Sequence, residues 1–447
     1  MTGRGRIIGT ELTANAKING VCFTGSTSTA KTIHKTMADT LDPSAPLIAE
    51  TGGLNAMIVD STALPEQAVV DIVASSFQSA GQRCSALRML YLQSDISESF
   101  LEMLTGAIEE QKLGNPWSFE TDIGPIINVQ AQKEISDYIT IAKTEGRLIK
   151  QMPEPSDGSF IGPAIISVNG IEDLEKEIFG PVLHIATFEA DELPQVIKDI
   201  NASGYGLTFG LHTRIDSRVE YITSQLNVGN IYVNRNQIGA VVGSQPFGGE
   251  GLSGTGPKAG GPNYVGRFTT SNGTPLETLQ SSTNPQTYLS LEEVQSVIEQ
   301  TPEAAEKAIS TIDLPGPTGE SNRLSEYPRG IILCLGPTLE AAQEQIKIAK
   351  SKGCITIAIH EGASGDHSID GVINPDALSQ LIGINGVAYW AQNDMARKLR
   401  QGLAQRDGPI LSLIGPSDMD VCSILERHVC VDTTAAGGNV ALLSGAS

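Results

Sequence analysis

The sequence predicts an α/β protein built on a parallel sheet, and two observations lead to that fold class. Short apolar runs of strand length alternate with segments of helical spacing over the first part of the chain. The same alternation resumes near residue 291, after a stretch rich in Ser, Thr, Asn and Pro that is typical of a linker. We therefore expect a larger α/β domain and a second, smaller α/β domain.

The first predicted elements are a strand, a turn and a helix. An apolar run over residues 18–24 meets Gly25-Ser26-Thr27, and helical spacing starts at Ser28. Because the first N–H groups of a helix have no partner inside it, Gly25 and Ser26 can bind a phosphate. A plain N-cap, in which Ser26 only closes the helix, explains the same residues equally well.

Glu50 ends a second short apolar run, residues 46–49, and Gly52 and Gly53 follow it. Open α/β sheets carry functional groups at the carboxyl ends of their strands, where burial raises the pKa of a carboxyl toward the range of a general base. The two glycines also let the backbone approach a ligand closely. A solvated loop acid is the alternative interpretation of Glu50.

Cys84 is the cysteine whose surroundings favour reactivity. It lies in a polar turn over residues 79–85, between a predicted helix over 65–79 and a predicted strand over 89–92, with the cation of Arg83 beside it. A nearby cation and partial exposure favour the thiolate, which is the nucleophile. A lone cysteine is nevertheless more often a small buried hydrophobe, and the apolar surroundings of the other five cysteines favour that interpretation for them.

Two further segments are recognisable as turns. Glu177 and Phe179 adjoin a Gly-Pro turn, and residues 247–261 are too rich in glycine for an ordinary connector. Successive N–H groups there, including those of Gly260 and Gly261, can form a nest for a carboxylate. The segment does not lead from a strand into a helix, so it is not a dinucleotide-binding fingerprint.

Composition excludes several classes of function. The 30 Lys and Arg against 51 Asp and Glu give a net charge of −21, and no basic cluster offers a face for nucleic acid or anionic lipid. No apolar run approaches the roughly 18 residues that a membrane span needs. The six cysteines have neither zinc-ligand spacing nor the pattern of a disulfide framework. We therefore expect a cytoplasmic protein with reduced thiols, no metal and no nucleic-acid partner.

Five segments, in their order along the chain, resemble the aldehyde dehydrogenase superfamily. They are Phe23-Thr24-Gly25-Ser26-Thr27, Glu50 with Gly52-Gly53, Gly81-Gln82-Arg83-Cys84, Glu177-Ile178-Phe179-Gly180-Pro181 and Phe247-Gly248-Gly249, with 34 residues from Glu50 to Cys84. Three longer stretches, 49–56, 77–88 and 254–262, are similar more narrowly to the C-terminal half of the proline utilization A family. That half is L-glutamate γ-semialdehyde dehydrogenase, also called 1-pyrroline-5-carboxylate dehydrogenase.

The resemblance implies an activity and assigns residues to it. The activity is NAD-dependent oxidation of L-glutamate γ-semialdehyde to L-glutamate in proline catabolism, with Cys84 as the nucleophile that forms a thioester and Glu50 as the base for deacylation. The residues assigned to NAD are Gly25, Ser26, Gly52, Glu177 and Phe179. The residues assigned to the substrate carboxylate are Ser85, Gly260 and Gly261. No metal is implied, and we expect a homo-oligomer.

The resemblance also implies a domain plan and a departure from it. The plan assigns 1–52 to the C-terminal remnant of a Rossmann-type NAD-binding domain, 53–270 to the catalytic domain with its substrate-anchor loop, 271–290 to a linker, 291–428 to a non-catalytic aldehyde-dehydrogenase-like domain and 429–447 to a docking tail. Family members carry further cofactor-domain residues before the segment that matches Gly25-Ser26, including an Asn for the oxyanion and a Lys for the adenosine ribose. We therefore expect a chain truncated at its N-terminus and lacking the proline dehydrogenase flavin domain, which is a possible partner.

Two alternative functions stay open at this point. A dehydrogenase for another aldehyde, such as succinate semialdehyde, would share Cys84 and Glu50 without needing the loop of Gly260 and Gly261. An inactive fragment that acts only in assembly would use its second domain and its tail to pair with another chain. Comparing rates on several semialdehydes distinguishes the first alternative from glutamate semialdehyde oxidation. Titration with NAD tests the second, because binding of NAD would argue against an inactive fragment.

Overall fold

The computed structural model describes residues 2–269, 288–302 and 307–434. Most of the predicted linker, 271–290, and most of the predicted docking tail, 429–447, lie outside the described residues. Within the described ranges, no helix is both long enough and apolar enough to cross a membrane.

Helices and strands alternate along the described chain, as predicted. The α-helices are α1 (Gly5–Thr13), α2 (Thr27–Thr40), α3 (Pro65–Phe77), α4 (Ser94–Glu109), α5 (Val129–Thr144), α6 (Leu193–Ala202), α7 (Asp216–Gln225), α8 (Leu291–Gln300), α9 (Leu339–Ser351), α10 (Asp394–Ala404) and α11 (Met419–Cys422). The strands are β1 (Val21–Thr24), β2 (Leu47–Glu50), β3 (Ala56–Val59), β4 (Met89–Gln93), β5 (Leu148–Gln151), β6 (Ala164–Ser167), β7 (Val182–Phe188), β8 (Tyr205–Gly206), β9 (Thr208–His212), β10 (Asn230–Val233), β11 (Glu250–Gly251), β12 (Tyr288–Leu289), β13 (Ser310–Leu314), β14 (Glu320–Pro328), β15 (Ile331–Cys334), β16 (Ile355–Ile359), β17 (Ser368–Ile369), β18 (Val372–Ile373), β19 (Gly386–Ala388), β20 (Leu413–Ile414) and β21 (Ile424–Asp432).

The described residues form two compact units, and each unit combines separate stretches of the chain. The first unit draws on Met1–Thr51, Gly248–Ile312 and Ser325–Arg427. The second unit draws on Gly52–Phe247, Asp313–Leu324 and His428–Ser447. This division differs from the contiguous plan suggested by the sequence, because the glycine-rich residues after 247 group with the first unit and those after 427 with the second.

The second unit is built on a large, mostly parallel sheet. The strand order is β13-β14-β21-β10-β9-β3-β4-β7-β6-β5, of which β13, β14 and β21 belong to the second unit only in part. The pairs from β21 through β6 are parallel, and β5 pairs antiparallel with β6. The parallel α/β fold predicted from the sequence is therefore confirmed.

Both faces of this sheet are covered, and the residues of β3 show how. Met57 and Val59 belong to one core cluster, which also contains residues of α3, α4 and α5. Ala56 and Ile58 point to the other cluster, which contains residues of α6 and α7. Successive side chains of a strand point to opposite faces, so a strand buried on both faces is a continuous apolar run, as β3 is.

Strand β21 changes the interpretation of the predicted tail. Residues 428–431 pair in parallel register with β10, from Asn230 opposite His428 to Val233 opposite Val431. Cys430 and Val431 are buried. The residues from 429 to 432 are thus part of a sheet rather than a docking tail, and β21 runs across the domain boundary expected at residue 428.

In the first unit, β1 and β2 form a two-stranded parallel ladder in which Thr24 lies opposite Glu50. Helix α2 packs on this ladder through a small core that includes Ala30, Met37 and Leu47. This is the predicted strand, turn and helix, and it agrees with the expected partial Rossmann-type arrangement. The carboxyl ends of both strands lie at the same edge, so Gly25 and Glu50 are neighbours there.

The remainder of the first unit contains a five-stranded parallel sheet with the order β17-β16-β15-β19-β20. This sheet confirms the predicted second α/β region. Helical spacing in the sequence extends from residue 292 to 309 and predicts a helix of that length, but α8 ends at Gln300 and residues 310–314 form a strand. Pro302 explains the early end, because the residue before a proline avoids helical conformation.

Candidate active site

Cys84 lies in a sharply bent segment of the second unit, residues 78–88, which we call the thiol loop. Helix α3 gives way to a single 3₁₀ turn in which Ser79, Ala80 and Gly81 all have positive φ, at 57°, 55° and 65°. A Cβ on Gly81 would lie 2.2 Å from the carbonyl oxygen of Gly180. Glycine is therefore required at position 81 both by its conformation and by the close backbone approach.

Asn55 fixes the backbone of the thiol loop. Its buried amide nitrogen donates to the carbonyls of Cys84 at 2.7 Å and Ala86 at 2.9 Å, and its oxygen accepts from the N–H of Thr208 at 3.1 Å. The carbonyl of Ser85 accepts from the Thr208 hydroxyl at 3.1 Å. Cys84 is consequently presented from a backbone that is held on both sides of it.

None of the six cysteines forms a disulfide, and they differ in exposure. Cys84 is half-buried and Cys22 is exposed, while the others are buried. Burial raises the pKa of the Cys334 and Cys430 thiols to about 12. The expectation that Cys22 is a buried apolar residue was wrong, because β1 is covered on only one face and Cys22 lies on the other.

Arg88 is completely buried and connects the thiol loop with Glu177. Its Nη2 lies 3.0 Å from Glu177 Oε1, its Nη1 donates to the Gly81 carbonyl at 2.8 Å, and Phe179 covers the guanidinium with its ring centroid 5.3 Å away. Burial raises the pKa of Glu177, and the Arg88 cation opposes that change. The structure therefore brings Glu177 and Phe179, two of the predicted cofactor residues, together on one buried cation.

Gly52 makes room for the same carboxylate. A Cβ on Gly52 would lie 2.0 Å from Glu177 Oε2. The absence of a side chain at Gly52 thus serves the approach of Glu177, a reason that the sequence did not reveal.

Glu50 is surrounded by the glycine-rich segment of the first unit. The N–H of Gly249 donates to Glu50 Oε2 at 2.9 Å, and Cβ atoms on Gly248 or Gly254 would lie within 3.0 Å of its carboxyl oxygens. Residue 50 keeps some exposed surface, yet its Oε1 is buried and accepts no hydrogen bond from the described residues. The glycine richness of this segment is therefore explained by the carboxylate that it encloses.

Two further ionisable residues complete a group that we call the carboxylate cluster: Glu50, Lys258 and Glu426. Lys258 is 2% exposed, and its Nζ donates to the Gly248 carbonyl at 2.5 Å. Its backbone N–H donates to Glu426 Oε2 at 2.8 Å, and the Asn263 amide donates to Glu426 Oε1 at 2.9 Å. Glu426, which lies on β21, thus accepts two hydrogen bonds that fix the end of the glycine-rich segment.

Charge in the carboxylate cluster is finely balanced. Burial raises the pKa of Glu50 to about 8, the Gly249 N–H and the Lys258 cation oppose that rise, and the Glu426 carboxylate adds to it. Burial lowers the pKa of Lys258 to about 8, and the nearby carboxylates oppose that fall. A carboxyl in this range can accept a proton from water near neutral pH, as a general base requires.

Ser26 and Gly25 lie at the edge of the ladder that Glu50 ends. The Gly25 N–H donates to the Glu50 carbonyl at 3.1 Å, and Ser26 is the N-cap of α2, accepting from the Thr29 N–H at 3.3 Å. Ser26 is exposed. The cap interpretation from the sequence is therefore correct, and it leaves an exposed helix N-terminus next to Glu50.

The predicted substrate residues are divided between the units. Ser85 is buried at 6% exposure in the second unit. In the first unit, Gly260 is exposed at φ 74° with open space where a Cβ would lie, while the Gly261 N–H already donates to the Lys258 carbonyl at 3.0 Å. Gly260 thus suits a ligand approach better than Gly261.

Among the described residues no group of three His, Cys, Asp or Glu side chains is placed to hold a metal ion. Comparison with known families instead gives a match to the aldehyde dehydrogenase family over residues 1–272. The chain belongs to the aldehyde dehydrogenase family. The resemblance noted from the five segments is thereby confirmed.

Within the family, this aldehyde dehydrogenase is similar to two groups of relatives. It is 39% identical to the bifunctional protein PutA of Escherichia coli over 99% of this chain and 37% of that protein. It is 35% identical to the 1-pyrroline-5-carboxylate dehydrogenase of Bacillus subtilis over 59% of this chain and 52% of that protein. The chain therefore spans less than two fifths of the bifunctional relative and about half of the other.

Solved structures give the same two groups. A mutant of Bradyrhizobium japonicum proline utilization A is 52% identical with a TM-score of 0.59, covering 60% of this chain and 28% of that one. A 1-pyrroline-5-carboxylate dehydrogenase from Thermus with bound NAD is 33% identical with a TM-score of 0.55, covering 60% of this chain and 52% of that one. The α/β fold of the aldehyde dehydrogenase is thus shared with both.

Four residues of this aldehyde dehydrogenase escaped the sequence analysis: Asn55, Arg88, Lys258 and Glu426. Asn55 and Arg88 lie inside stretches that were already quoted for the resemblance, yet nothing local shows which way their side chains point. Lys258 is the single lysine of the glycine-rich run over residues 247–261, which is a usable signal. Glu426 lies 168 residues beyond its partner Lys258, so only the fold reveals it.

Proposed function

We propose that the chain oxidises L-glutamate γ-semialdehyde, formed from 1-pyrroline-5-carboxylate, to L-glutamate with NAD as the acceptor. The observation that supports the proposal is that the chain carries both a half-buried thiol on a fixed loop and a carboxyl whose pKa burial raises to about 8. Membership of the aldehyde dehydrogenase family and the 52% identity to a proline utilization A structure support the substrate class.

In this proposal Cys84 supplies the nucleophile. The thiolate adds to the aldehyde carbon, and the adduct loses hydride to become a thioester. The hydrogen bonds from Asn55 to the thiol loop lower the entropic cost of holding the sulfur in the position from which it attacks. When bound, NAD supplies the hydride acceptor.

Glu50 serves the second half of the reaction. Its carboxylate removes a proton from water as the oxygen attacks the thioester carbon, and the products are the carboxylic acid and the regenerated Cys84 thiolate. The buried Oε1 without a hydrogen bond among the described residues is the atom suited to accept that proton.

Several residues of this chain fit the cofactor. Ser26 and the exposed N-terminus of α2 suit a phosphate, and the Glu177 carboxylate, oriented by Arg88, suits a ribose hydroxyl. Gly25, Gly52 and Phe179 adjoin these groups along the chain. We assign Ser85, Gly260 and Gly261 to the α-carboxylate of the substrate.

The test is NADH formation by the purified chain, followed by absorbance, with 1-pyrroline-5-carboxylate, succinate semialdehyde and a simple aldehyde compared at equal concentrations. We expect the highest kcat/KM for the first substrate. A higher value for succinate semialdehyde would reassign the substrate, and NAD binding without turnover on any aldehyde would contradict the activity.

A further inference from the structure

Arg88 is a buried cation that the proposed reaction steps do not use. It is 1% exposed, and all five of its N–H donors are engaged. Nη1 donates to the carbonyls of Gly81 at 2.8 Å and Gly180 at 3.1 Å, and Nη2 donates to the carbonyl of Arg83 at 3.1 Å and to Glu177 at 3.0 Å. Nε completes the set at 3.3 Å from Glu177 Oε1.

These hydrogen bonds hold the backbone of the thiol loop on the N-terminal side of Cys84. Two of the carbonyls, those of Gly81 and Arg83, immediately precede Cys84, and the third belongs to the segment of Glu177. A lysine could not reproduce these hydrogen bonds, because the planar fork of arginine places several donors at once. Arg88 therefore determines where both the nucleophile and the cofactor carboxylate lie.

Arg88 also acts on Cys84 through its charge. A negative charge on Cys84 raises the pKa of Arg88, as the Glu177 carboxylate does, while burial lowers it. Electrostatic coupling is reciprocal, so the guanidinium favours the Cys84 thiolate. Among the groups that face Cys84, the buried Tyr232 hydroxyl, whose own pKa is raised by burial, also senses the thiol charge.

The cation adjacent to Cys84 in sequence, Arg83, lies where its electrostatic effect on the thiol is smaller. Its Nε donates to the Ser79 hydroxyl at 3.1 Å, and its side chain keeps contact with solvent. Water screens a charge in such a place, whereas a buried charge acts at much lower dielectric. The cation next to Cys84 in sequence is thus not the one with the stronger electrostatic effect.

We propose that Arg88 is the positioning residue that favours the thiolate of Cys84, and that Glu177 limits this effect by neutralising part of the Arg88 charge. The inference rests on the proposed function, in which Cys84 is the nucleophile and Glu177 binds the cofactor. It adds a consequence: the ionisation of the thiol depends on the same carboxylate that holds NAD. Cofactor binding and thiol reactivity are then coupled through one side chain.

The test measures the rate of Cys84 alkylation by iodoacetamide against pH in the cofactor-free full chain, with the labelled cysteine identified by mass spectrometry. Arg88→Met should move the thiol transition upward by about one pH unit or more, since an adjacent arginine typically shifts a pKa by that amount. Glu177→Gln should move it downward, because the Arg88 charge is then less neutralised. Arg88→Lys keeps the charge and should shift the transition less than Arg88→Met.

Arg83→Met is the matched control and should leave the transition within about 0.3 units, since exposed charges are screened. Shifts of Arg88→Met and Glu177→Gln in the same direction would overturn the proposal, because general disruption of the loop gives that result. A larger shift for Arg83→Met than for Arg88→Met would also overturn it. If Arg88→Met fails to fold, the sign of the Glu177→Gln shift decides alone.

Alkylation requires neither aldehyde nor NAD, so this test is independent of the proposed activity. Opposite shifts in a chain that oxidises no semialdehyde would support the role of Arg88 and reject the substrate. Turnover of 1-pyrroline-5-carboxylate with parallel shifts would support the activity and reject the role of Arg88.

Discussion

The thiol loop and the carboxylate cluster, one in each unit, hold their reactive groups in opposite ways. The thiol loop is fixed by hydrogen bonds, with Asn55 and Arg88 bound to its carbonyls on either side of Cys84. The carboxylate cluster leaves Glu50 Oε1 without a hydrogen bond among the described residues and opposes its charge with Lys258. The first region fixes a position, and the second adjusts a protonation state.

The difference follows from what each step of the proposed reaction needs. Bond formation at a carbonyl carbon depends on the distance and direction of the attacking atom, so a rigid loop is favourable. Proton transfer depends most on the pKa of the accepting group, which nearby charges set. Substitutions should therefore disturb geometry in one region and pH dependence in the other.

Removal of the thiol is the largest expected effect. Cys84→Ala should lower NADH formation by at least about a thousandfold, since loss of a nucleophile removes the covalent route. The assay is steady-state turnover, with Cys22→Ala, at the exposed cysteine of β1, as the control that should retain activity. Equal losses in the two variants would contradict the assignment of Cys84, as would faster alkylation of Cys354 or Cys430.

Glu50→Gln should separate the two half-reactions, thioester formation at Cys84 and its hydrolysis with Glu50 as the base. Because formation of the thioester needs no proton acceptor once the thiolate exists, a burst of up to one equivalent of NADH should remain, while steady turnover falls by about 100-fold or more. Stopped-flow absorbance measures both phases. A burst reduced as much as the turnover would mean that Glu50 activates the thiol or only supports the fold.

The pH dependence should sharpen the comparison. Glu50 must be ionised to act, and burial raises its pKa to about 8, so steady turnover should rise as pH increases through that value. Lys258→Met removes a cation that lowers this pKa, so the rise should move to higher pH. Glu426→Gln removes a charge that raises it, so the rise should move to lower pH.

These two variants control for each other, because each removes one charge that acts on Glu50 and the two charges have opposite sign. Shifts of opposite sign, each of about one unit for a neighbouring charge, are expected in kcat-against-pH profiles. A common direction would show that the cluster responds to packing rather than to charge. In these variants, which keep Glu50, the amplitude of the NADH burst should not change with pH in the way that kcat does.

Gly261→Val should give the smallest effect, confined to substrate recognition. A bulky residue beside Gly260 should displace the loop and raise KM for glutamate semialdehyde by about tenfold, which is 1.4 kcal/mol, with little change in kcat. KM for an aldehyde without a carboxylate should stay constant. Gly266→Ala, where open space surrounds the Cβ position, is the control. Parallel KM increases on both aldehydes would show that the glycines only shape a turn.

The sequence was sufficient for the features that depend on local order. The turn before α2, the strand that Glu50 ends and the helix-to-strand turn that contains Cys84 were each predicted from neighbouring residues, and the structure has these elements there. The choice of Arg83 as the effective cation rested on adjacency along the chain. Adjacency does not reveal burial, and the buried arginine of the thiol loop is Arg88, which is the basis of our proposal for that residue.

Features that depend on distant pairing could not be predicted in the same way. An apolar run ending in small residues, such as that after Val429, fits a tail or a central strand equally well until its partner is known. Its partner β10 precedes it by almost 200 residues. The hydrogen bond between Lys258 and Glu426 has the same character, since no local pattern links the two positions.

The position of β21 has a consequence for biosynthesis. The β10 edge faces a strand that includes residues 428–431, close to the end of the described chain. On the ribosome, the strands from β3 to β10 are synthesised before β21, so β10 remains an open sheet edge until residues 424–432 emerge. Open edges are sites of intermolecular pairing. Chains that stop before residue 424 should accordingly accumulate as aggregates in the cell, and a chaperone that covers strand edges should matter most before residues 424–432 are synthesised.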